Sequence, residues 1–323
     1  MTFDLIFFTS INLLLFIMVI APYLALNILA PFELVGGNQV VRLVLFLLTT
    51  LILLFYPLGF NWLNIGIASF SIIVLYLEAI TLIPVRRTIS KNVEEPGIRI
   101  LTFNSAEKEP DEWMDYFFNN NIDIACIQEV KLDYSNSIHE KLKSRGGHSL
   151  FVNNNKCDYG IAFISKTALK LESVLEVQGD RSYPLISANV SDTEITLIGV
   201  HLSSVIPNWE IIDFIGNYTT RIAQSKAILG KMKESLNPVI ICGDFNATAT
   251  ERILRIIRNH FKDTWLQAGR GIGGTWHRLL PIFRIDYIYT RGFDRPFQVG
   301  FVSIGKSDHR AYQVSLSRSA NGK

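Results

Sequence analysis

Eight polar side chains lie at the ends of apolar runs or in short motifs near the carboxy terminus. Asn104 follows ILTF, Glu129 follows IACIQ, His201 follows LIGV, and Asp244 and Asn246 follow VIIC. Asp286 lies within RIDYIY, and Asp308 and His309 are neighbours in SDHR. Alone, an acid after a strand is ordinarily a solvated residue, and GDFN reads as a turn. Together they form a usable set. Carboxylate and amide oxygens are hard donors suited to Mg2+ or Mn2+, and histidines transfer protons or stabilise charge.

That set suits hydrolysis of a phosphate ester. Glu129, with help from neighbouring oxygens, is expected to hold a divalent ion against a phosphoryl oxygen, offsetting the charge that grows in the transition state. Asp244 is expected to orient and deprotonate the attacking water, and Asn246 to fix that water or a phosphate oxygen. His309, held by Asp286 or helped by Asp308, would stabilise the developing charge or act as a base. His201 would donate a hydrogen bond to the same phosphate or protonate the leaving oxygen.

Rigid elements must bring these groups together. Val239 to Cys242 has the length and β-branched content of a buried strand and stops at Gly243, where the backbone can turn sharply. The spacing predicts further strands over Ile98–Phe103, Ile122–Gln128, Gly160–Ser165, Leu185–Val190, Glu194–Val200, Arg284–Tyr289, Gln298–Ser303 and Ala311–Leu316. Helices are expected over Asp111–Asn119, Tyr218–Glu234, with Arg221 and Gln224 on one side, and Glu251–Asn259. Many strands with a few helices between them imply an α+β domain of two packed sheets.

The order of motifs, Asn at a strand end, then QE, HL, GDFN, RIDYI and SDH over roughly Ile98 to Leu316, closely resembles the endonuclease/exonuclease/phosphatase superfamily. Six short motifs agree in residue type and order. The resemblance implies a four-layered α/β sandwich and divalent-metal phosphoesterase chemistry. It implies Glu129 as metal ligand, with Asn104 beside the metal and water network. Asp244 and Asn246 look like the water-activating and phosphate-binding pair, and Asp286 like the partner that orients a histidine. Asp308 with His309 look like the closing metal-site and catalytic pair. His201 resembles the histidine of the deoxyribonuclease-like and sphingomyelinase-like branches. Some DNA-repair members carry an acid two positions after the first Asn; here Ser105 and Ala106 follow Asn104, which argues against the abasic-site repair branch.

The chain has 323 residues and a net charge of +2, so no strong overall pull toward nucleic acid follows. Its mean hydropathy is +0.25, and the apolar excess sits at the amino-terminal end. Between Leu5 and Val85 the only charged residues are Glu33, Arg42 and Glu78. Runs over Leu5 to Ala30, Leu43 to Phe60 and Leu63 to Val85 are long enough to predict three transmembrane helices. Residues 1–85 are therefore expected to form a membrane anchor, 86–97 a linker, 98–318 the catalytic domain and 319–323 a tail. Arg42, Arg86, Arg87 and Lys91 would lie on one side of the bilayer, which favours a multi-pass cell-membrane protein with a cytoplasmic catalytic domain. Cys126, Cys157 and Cys242 form no CxxC pattern and read as inert thiols.

Two stretches bear on substrate. Val205 to Tyr218 is rich in apolar and aromatic residues, as either a core helix or a wedge touching lipid beside the site. Arg252, Arg255, Arg258, Lys262, Arg270, Arg278 and Arg284 form either a solvated face or a phosphate-tracking surface. Trp276 and His277 either line the pocket or, for the tryptophan, belong to the core. Three readings follow: an anchored phosphoesterase whose partners are the bilayer and a lipid or other phosphate ester, an anchored nuclease, and an inactive membrane scaffold.

Overall fold

The structure, a computed structural model, describes residues 10–11, 13–19, 44–45, 47–48, 62–84, 97–153, 157–177, 182–190, 193–204, 211–294 and 296–317. Among the described residues twelve strands run from β1 (Ile98–Asn104) to β12 (Ala311–Leu316) and form two six-stranded sheets. The first has the order β11 (Gln298–Val302), β12, β1, β2 (Ile124–Lys131), β4 (Tyr159–Ser165), β3 (His148–Val152). The second has the order β5 (Leu169–Glu176), β6 (Ser182–Val190), β7 (Thr193–His201), β8 (Val239–Asp244), β10 (Asp286–Arg291), β9 (Lys262–Asp263).

Each sheet contains one parallel pair, β1 with β2 and β7 with β8, and antiparallel neighbours elsewhere. These parallel strands are covered on both faces, which is why their sequences read as continuous apolar runs rather than alternating ones. In β1 only Arg99 is exposed, and every residue of β8 is buried. Between the sheets lies one core, with Ile100, Cys126, Phe163, Leu197, Ile240, Cys242 and Ile288 among its members. The Cys126 Sγ lies 3.8 Å from the Cys242 carbonyl oxygen, and burial pushes the Cys126 thiol pKa well up. It is an inert thiol, as its apolar run predicts.

Helices close both outer faces. Asp111–Asn119 and Ser135–Ser144 pack Trp113, Phe117, Ile138 and Leu142 onto the first sheet. Ile211–Lys233 and Arg252–Arg258 pack Ile228, Met232, Ile253 and Ile257 onto the second. The result is helix, sheet, sheet, helix, an α+β sandwich in four layers, as expected. Most predicted elements fall within two or three residues of the observed ones. The Ser135–Ser144 helix and the β3 and β5 strands have no counterpart in the sequence reading. The helix buries only Ile138 and Leu142, one turn apart in a polar segment, and β5 is an edge strand with no fully buried residue.

The helix predicted from Tyr218 begins earlier, at Ile211. The Val205–Tyr218 stretch is thus helical in its second half, while residues 205–210 lie outside the described residues. Among the described residues no helix is long and apolar enough to cross a membrane, so the three-span expectation is not met there. Most of the first two expected spans, most of the linker and the tail lie outside the described residues. From the third, the helix Trp62–Leu82 is present. It packs Leu75 with Leu15, Val19 and Leu45, and exposes Phe70, Ile73, Tyr76 and Leu77.

Candidate active site

The carboxy-terminal ends of the parallel strands of both sheets meet at one edge of the sandwich. Register aligns Asn104 with Gln128 across β1 and β2, and His201 with Asp244 across β7 and β8. From its other side Asp244 pairs with Asp286, the first residue of β10. Each strand therefore delivers its polar residue where its apolar run stops, and Asn104 and Asp244, 140 residues apart, come into hydrogen-bond contact.

Two backbone features set the angles. The β2–β4 register slips between Ile127 and Val130, and within this bulge Glu129 has φ +55°, so its carboxylate is turned out of the pleat. In β8, Gly243 has φ +148°, and a Cβ there would lie 1.8 Å from the Val200 carbonyl oxygen. Only glycine lets β8 approach β7 this closely while presenting Asp244.

Asp244 is the hub. Its Oδ2 accepts from the Asn104 Nδ2 at 3.0 Å, and lies 3.8 Å from the His309 Nε2 and 3.9 Å from the His201 Nε2. Its Oδ1 accepts the Asn246 backbone N–H at 2.8 Å. The same Asn104 Nδ2 donates to the Glu129 Oε1 at 3.1 Å, which also lies 3.4 Å from the His201 Nε2. One amide and one imidazole thus bridge two carboxylates. Asp286, fully buried, takes the His309 Nδ1 at 3.0 Å and leaves the His309 Nε2 toward Asp244.

Electrostatics separates the two acidic ends. Burial opposes a charge on His309, but the charge and hydrogen bond of Asp286, followed by Asp244 and Asp308, outweigh it and push the imidazole pKa up to about 10. Burial and the Asp286 charge push Asp244 up to about 7, against His309, the Asn246 N–H and Asn104. Asp244 is therefore poised near neutrality, where a general base works best.

Asp244, Asp286 and His309 lie close enough to hold an ion together, yet their chemistry argues against that set. Against its burial, the charges of Asp286, Asp244 and Asp308 favour the protonated His309 ring, whereas a metal needs the neutral ring. The Glu129 side fits better. Glu129 is partly exposed, and its carboxylate, oriented by the Asn104 Nδ2, offers hard oxygens beside Asp244.

Seven of the eight predicted residues take part in this one constellation. Asn246, with φ +47°, donates its side-chain amide to the Leu202 carbonyl at 2.9 Å. Asp308 goes elsewhere: its Oδ2 accepts the Trp276 indole N–H at 2.8 Å. It contributes to the charge on His309 from a distance. Trp276, half-buried, therefore belongs to the wall of the site rather than to the core.

Further residues support the GDFN turn. The fully buried Arg221 donates from Nη2 to the Asn246 carbonyl at 2.6 Å and to the Glu251 Oε2 at 3.1 Å. Glu251 in turn accepts from the Thr248 backbone N–H and hydroxyl. Glu251 is the N-cap residue of the Arg252–Arg258 helix, and nothing local in the sequence marks the role of Arg221. Ser307 ties the last loop to the first strand, its hydroxyl donating to the Asn104 carbonyl at 2.7 Å and accepting the His309 N–H at 3.0 Å. The ring of Tyr159 lies 6.4 Å from that of His201.

The basic stretch does not form a continuous track. Arg284 is buried in a two-pronged pair with Asp263 at 2.8 and 2.9 Å. Arg252, Arg255 and Arg258 are half-buried, and only Lys262, Arg270 and Arg278 of the seven are exposed.

Several solved structures share this architecture. Truncated Caenorhabditis elegans TDP2 is 21% identical, with a TM-score of 0.56 over 68% of this chain and 97% of that one. The NExo 3′ phosphatase from Neisseria, bound to a product DNA hairpin, is 16% identical, with a TM-score of 0.54 over 68% and 99%. The human Nocturnin catalytic domain with bound sulfate is 18% identical, with a TM-score of 0.53 over 70% and 95%. At such identities the likeness is one of fold. No curated protein matches the sequence. Residues 101–309 match the Endonuclease/Exonuclease/phosphatase family, so the chain belongs to that family and is a metal-dependent phosphoesterase.

Proposed function

We propose that the protein is a membrane-anchored phosphoesterase that uses Mg2+ or Mn2+ to hydrolyse a phosphodiester or phosphomonoester at the Asp244 site. The observation that carries this reading is the bridging of Glu129 and Asp244 by Asn104, with His309 and Asp286 on the far side. Glu129, oriented by the Asn104 Nδ2, would hold the ion. Once bound, the ion supplies positive charge to a phosphoryl oxygen.

The chain's own groups do the rest. Asp244 accepts a proton from the attacking water, which its position between the metal-side and histidine-side residues allows. The Asn246 Oδ1 orients that water. His309, kept cationic by Asp286, places its Nε2–H toward the phosphate and stabilises the charge that builds there. His201, buried between Glu129 and Asp244, donates to the same phosphate or to the leaving oxygen.

Anchoring through the amino-terminal residues is supported by their composition and by the apolar side chains that the Trp62–Leu82 helix exposes. The charge bias around Arg42 and Arg86 supports a cytoplasmic catalytic domain. A tethered nuclease is the second reading, favoured by the structures of NExo with a product DNA hairpin and zebrafish TDP2 with single-stranded DNA product. The broken basic track tells against it here. Detergent-solubilised full chain, assayed with Mg2+ or Mn2+ against plasmid DNA, RNA, phospholipids and sphingomyelin, separates the two. Cleavage of nucleic acid alone would reject the lipid reading. A reporter fused after Lys323 and active only outside the cytoplasm would reverse the orientation.

A further inference from the structure

The loop between Gly269 and Phe283 (GRGIGGTWHRLLPIF) contains Arg270 and Arg278 and no acid. Its base is closed by backbone hydrogen bonds between Trp276 and Phe283 at 2.9 and 3.0 Å, and from Thr275 to Phe283 at 2.7 Å. Within the tip, Leu280 N–H donates to the His277 carbonyl and Ile282 N–H to the Leu280 carbonyl. Gly274 is required beneath it, because a Cβ there would lie 1.6 Å from the Pro281 carbonyl oxygen. This closed tip presents Leu279 at 85% and Leu280 at 66% exposure. Two adjacent leucines, preceded by Arg278, are thus held out together by the loop's own backbone as an exposed apolar tip.

The loop touches both the catalytic residues and the apolar amino-terminal part. Trp276 holds Asp308, the Arg278 N–H donates to the Asp308 carbonyl at 2.7 Å, and Trp276 bridges His309. At the other end the Gly271 N–H donates to the Pro84 carbonyl at 3.0 Å, just past the Trp62–Leu82 helix whose apolar side chains are exposed. The loop that carries the leucine tip thus joins the segment read as the anchor at Gly271 and the catalytic residues at Trp276 and Arg278.

We infer that Leu279 and Leu280 insert into the lipid bilayer, with Arg270 and Arg278 at the level of anionic headgroups, so that the catalytic edge faces the membrane and takes a phosphate ester resident in it. This inference rests on the membrane-anchored reading. Leucine side chains favour the acyl region, and arginines keep their charge at the interface.

The test is depth-dependent quenching on the full chain in phosphatidylcholine–phosphatidylglycerol vesicles. Leu279→Cys, in a background with Cys157→Ser, would carry an environment-sensitive fluorophore; Cys126 and Cys242 are buried. Leu236→Cys serves as the control, since Leu236 is fully exposed just ahead of β8, at the end of the sheet opposite the site. Expected is at least fivefold stronger quenching at position 279 than at 236 by lipids carrying a nitroxide on a shallow acyl carbon. Quenching at 279 by aqueous iodide alone, or equal lipid quenching at both positions, would overturn the inference. A chain that washes off the vesicles in alkaline carbonate would overturn it together with the anchoring reading. Because the readout needs no turnover, failure of the phosphoesterase roles would leave it unaffected.

Discussion

Replacing Asp286 by Asn removes a charge beside His309 and leaves a hydrogen-bond acceptor of the same shape. The magnitude follows from the geometry. Two unit charges about 4 Å apart attract by about 4 kcal/mol at the effective dielectric of a protein site. The displacement of His309 from 6.5 to about 10 corresponds to about 5 kcal/mol of preference for the imidazolium. Burial opposes that charge and Asp286 is the largest of the groups that restore it, so removing its charge is expected to bring the His309 pKa down from about 10 toward the neutral range. At pH 8 the variant would present a neutral ring toward Asp244, and kcat is expected to fall by about 10²- to 10⁴-fold. The raised pKa also has a stability consequence. The folded protein binds this proton more tightly than the unfolded chain, so the stabilisation is complete below about pH 6.5 and is lost as pH rises through about 10. Imidazole NMR titration of the metal-free protein, beside a pH–rate profile on bis(p-nitrophenyl) phosphate, checks both parts. A variant whose His309 still titrates above 9, or whose kcat at pH 8 matches the parent, would refute the reasoning.

Two further substitutions probe the frame that holds the site. Gly243→Ala places a methyl group against the Val200 carbonyl at a backbone angle that L-residues avoid, and is expected to destabilise the fold by about 3 kcal/mol or more. Urea denaturation followed by circular dichroism would show it, and an unshifted midpoint would contradict the strand approach described. Asp263→Ala strands the buried Arg284 guanidinium, at an expected cost of about 3–5 kcal/mol, whereas Arg284→Met removes charge and desolvation together and should cost far less when made with Asp263→Ala. Thermal unfolding of the two single variants and the double variant forms the cycle. Equal losses in all three would remove the ion pair from the account.

The sequence made legible what is local. Apolar runs buried on both faces identify β1, β2, β7 and β8, and a polar residue at the end of each run identifies Asn104, Glu129, His201 and Asp244. What is set by tertiary contact was not legible. Arg284 reads as surface charge because its partner Asp263 lies 21 residues earlier in a separate element. Asp308 reads as part of the metal site because nothing local shows the Trp276 indole waiting for its carboxylate. The bulge that turns Glu129 outward depends on pairing with β4, and no residue type in CIQEV marks it. Arg221 lay on the expected helix, but its bond to the Asn246 carbonyl, which fixes the GDFN turn, exists only once the second sheet has its helices. The apolar tip at Leu279 is different again, since its exposure is decided by the Gly274 and Trp276–Phe283 closure rather than by composition.

In the proposed mechanism Asp244, shared between the Asn104–Glu129 side and the His309–Asp286 side, is the hub of metal-dependent phosphate-ester hydrolysis. The most direct test of that role is turnover of bis(p-nitrophenyl) phosphate with Mg2+ or Mn2+ by the purified full chain, compared with Asp244→Asn and His309→Ala variants of native circular dichroism. Metal-dependent turnover is expected to fall by about 10³-fold or more in Asp244→Asn and by about 10²-fold or more in His309→Ala. Turnover retained at the parent level in both variants would contradict the mechanism.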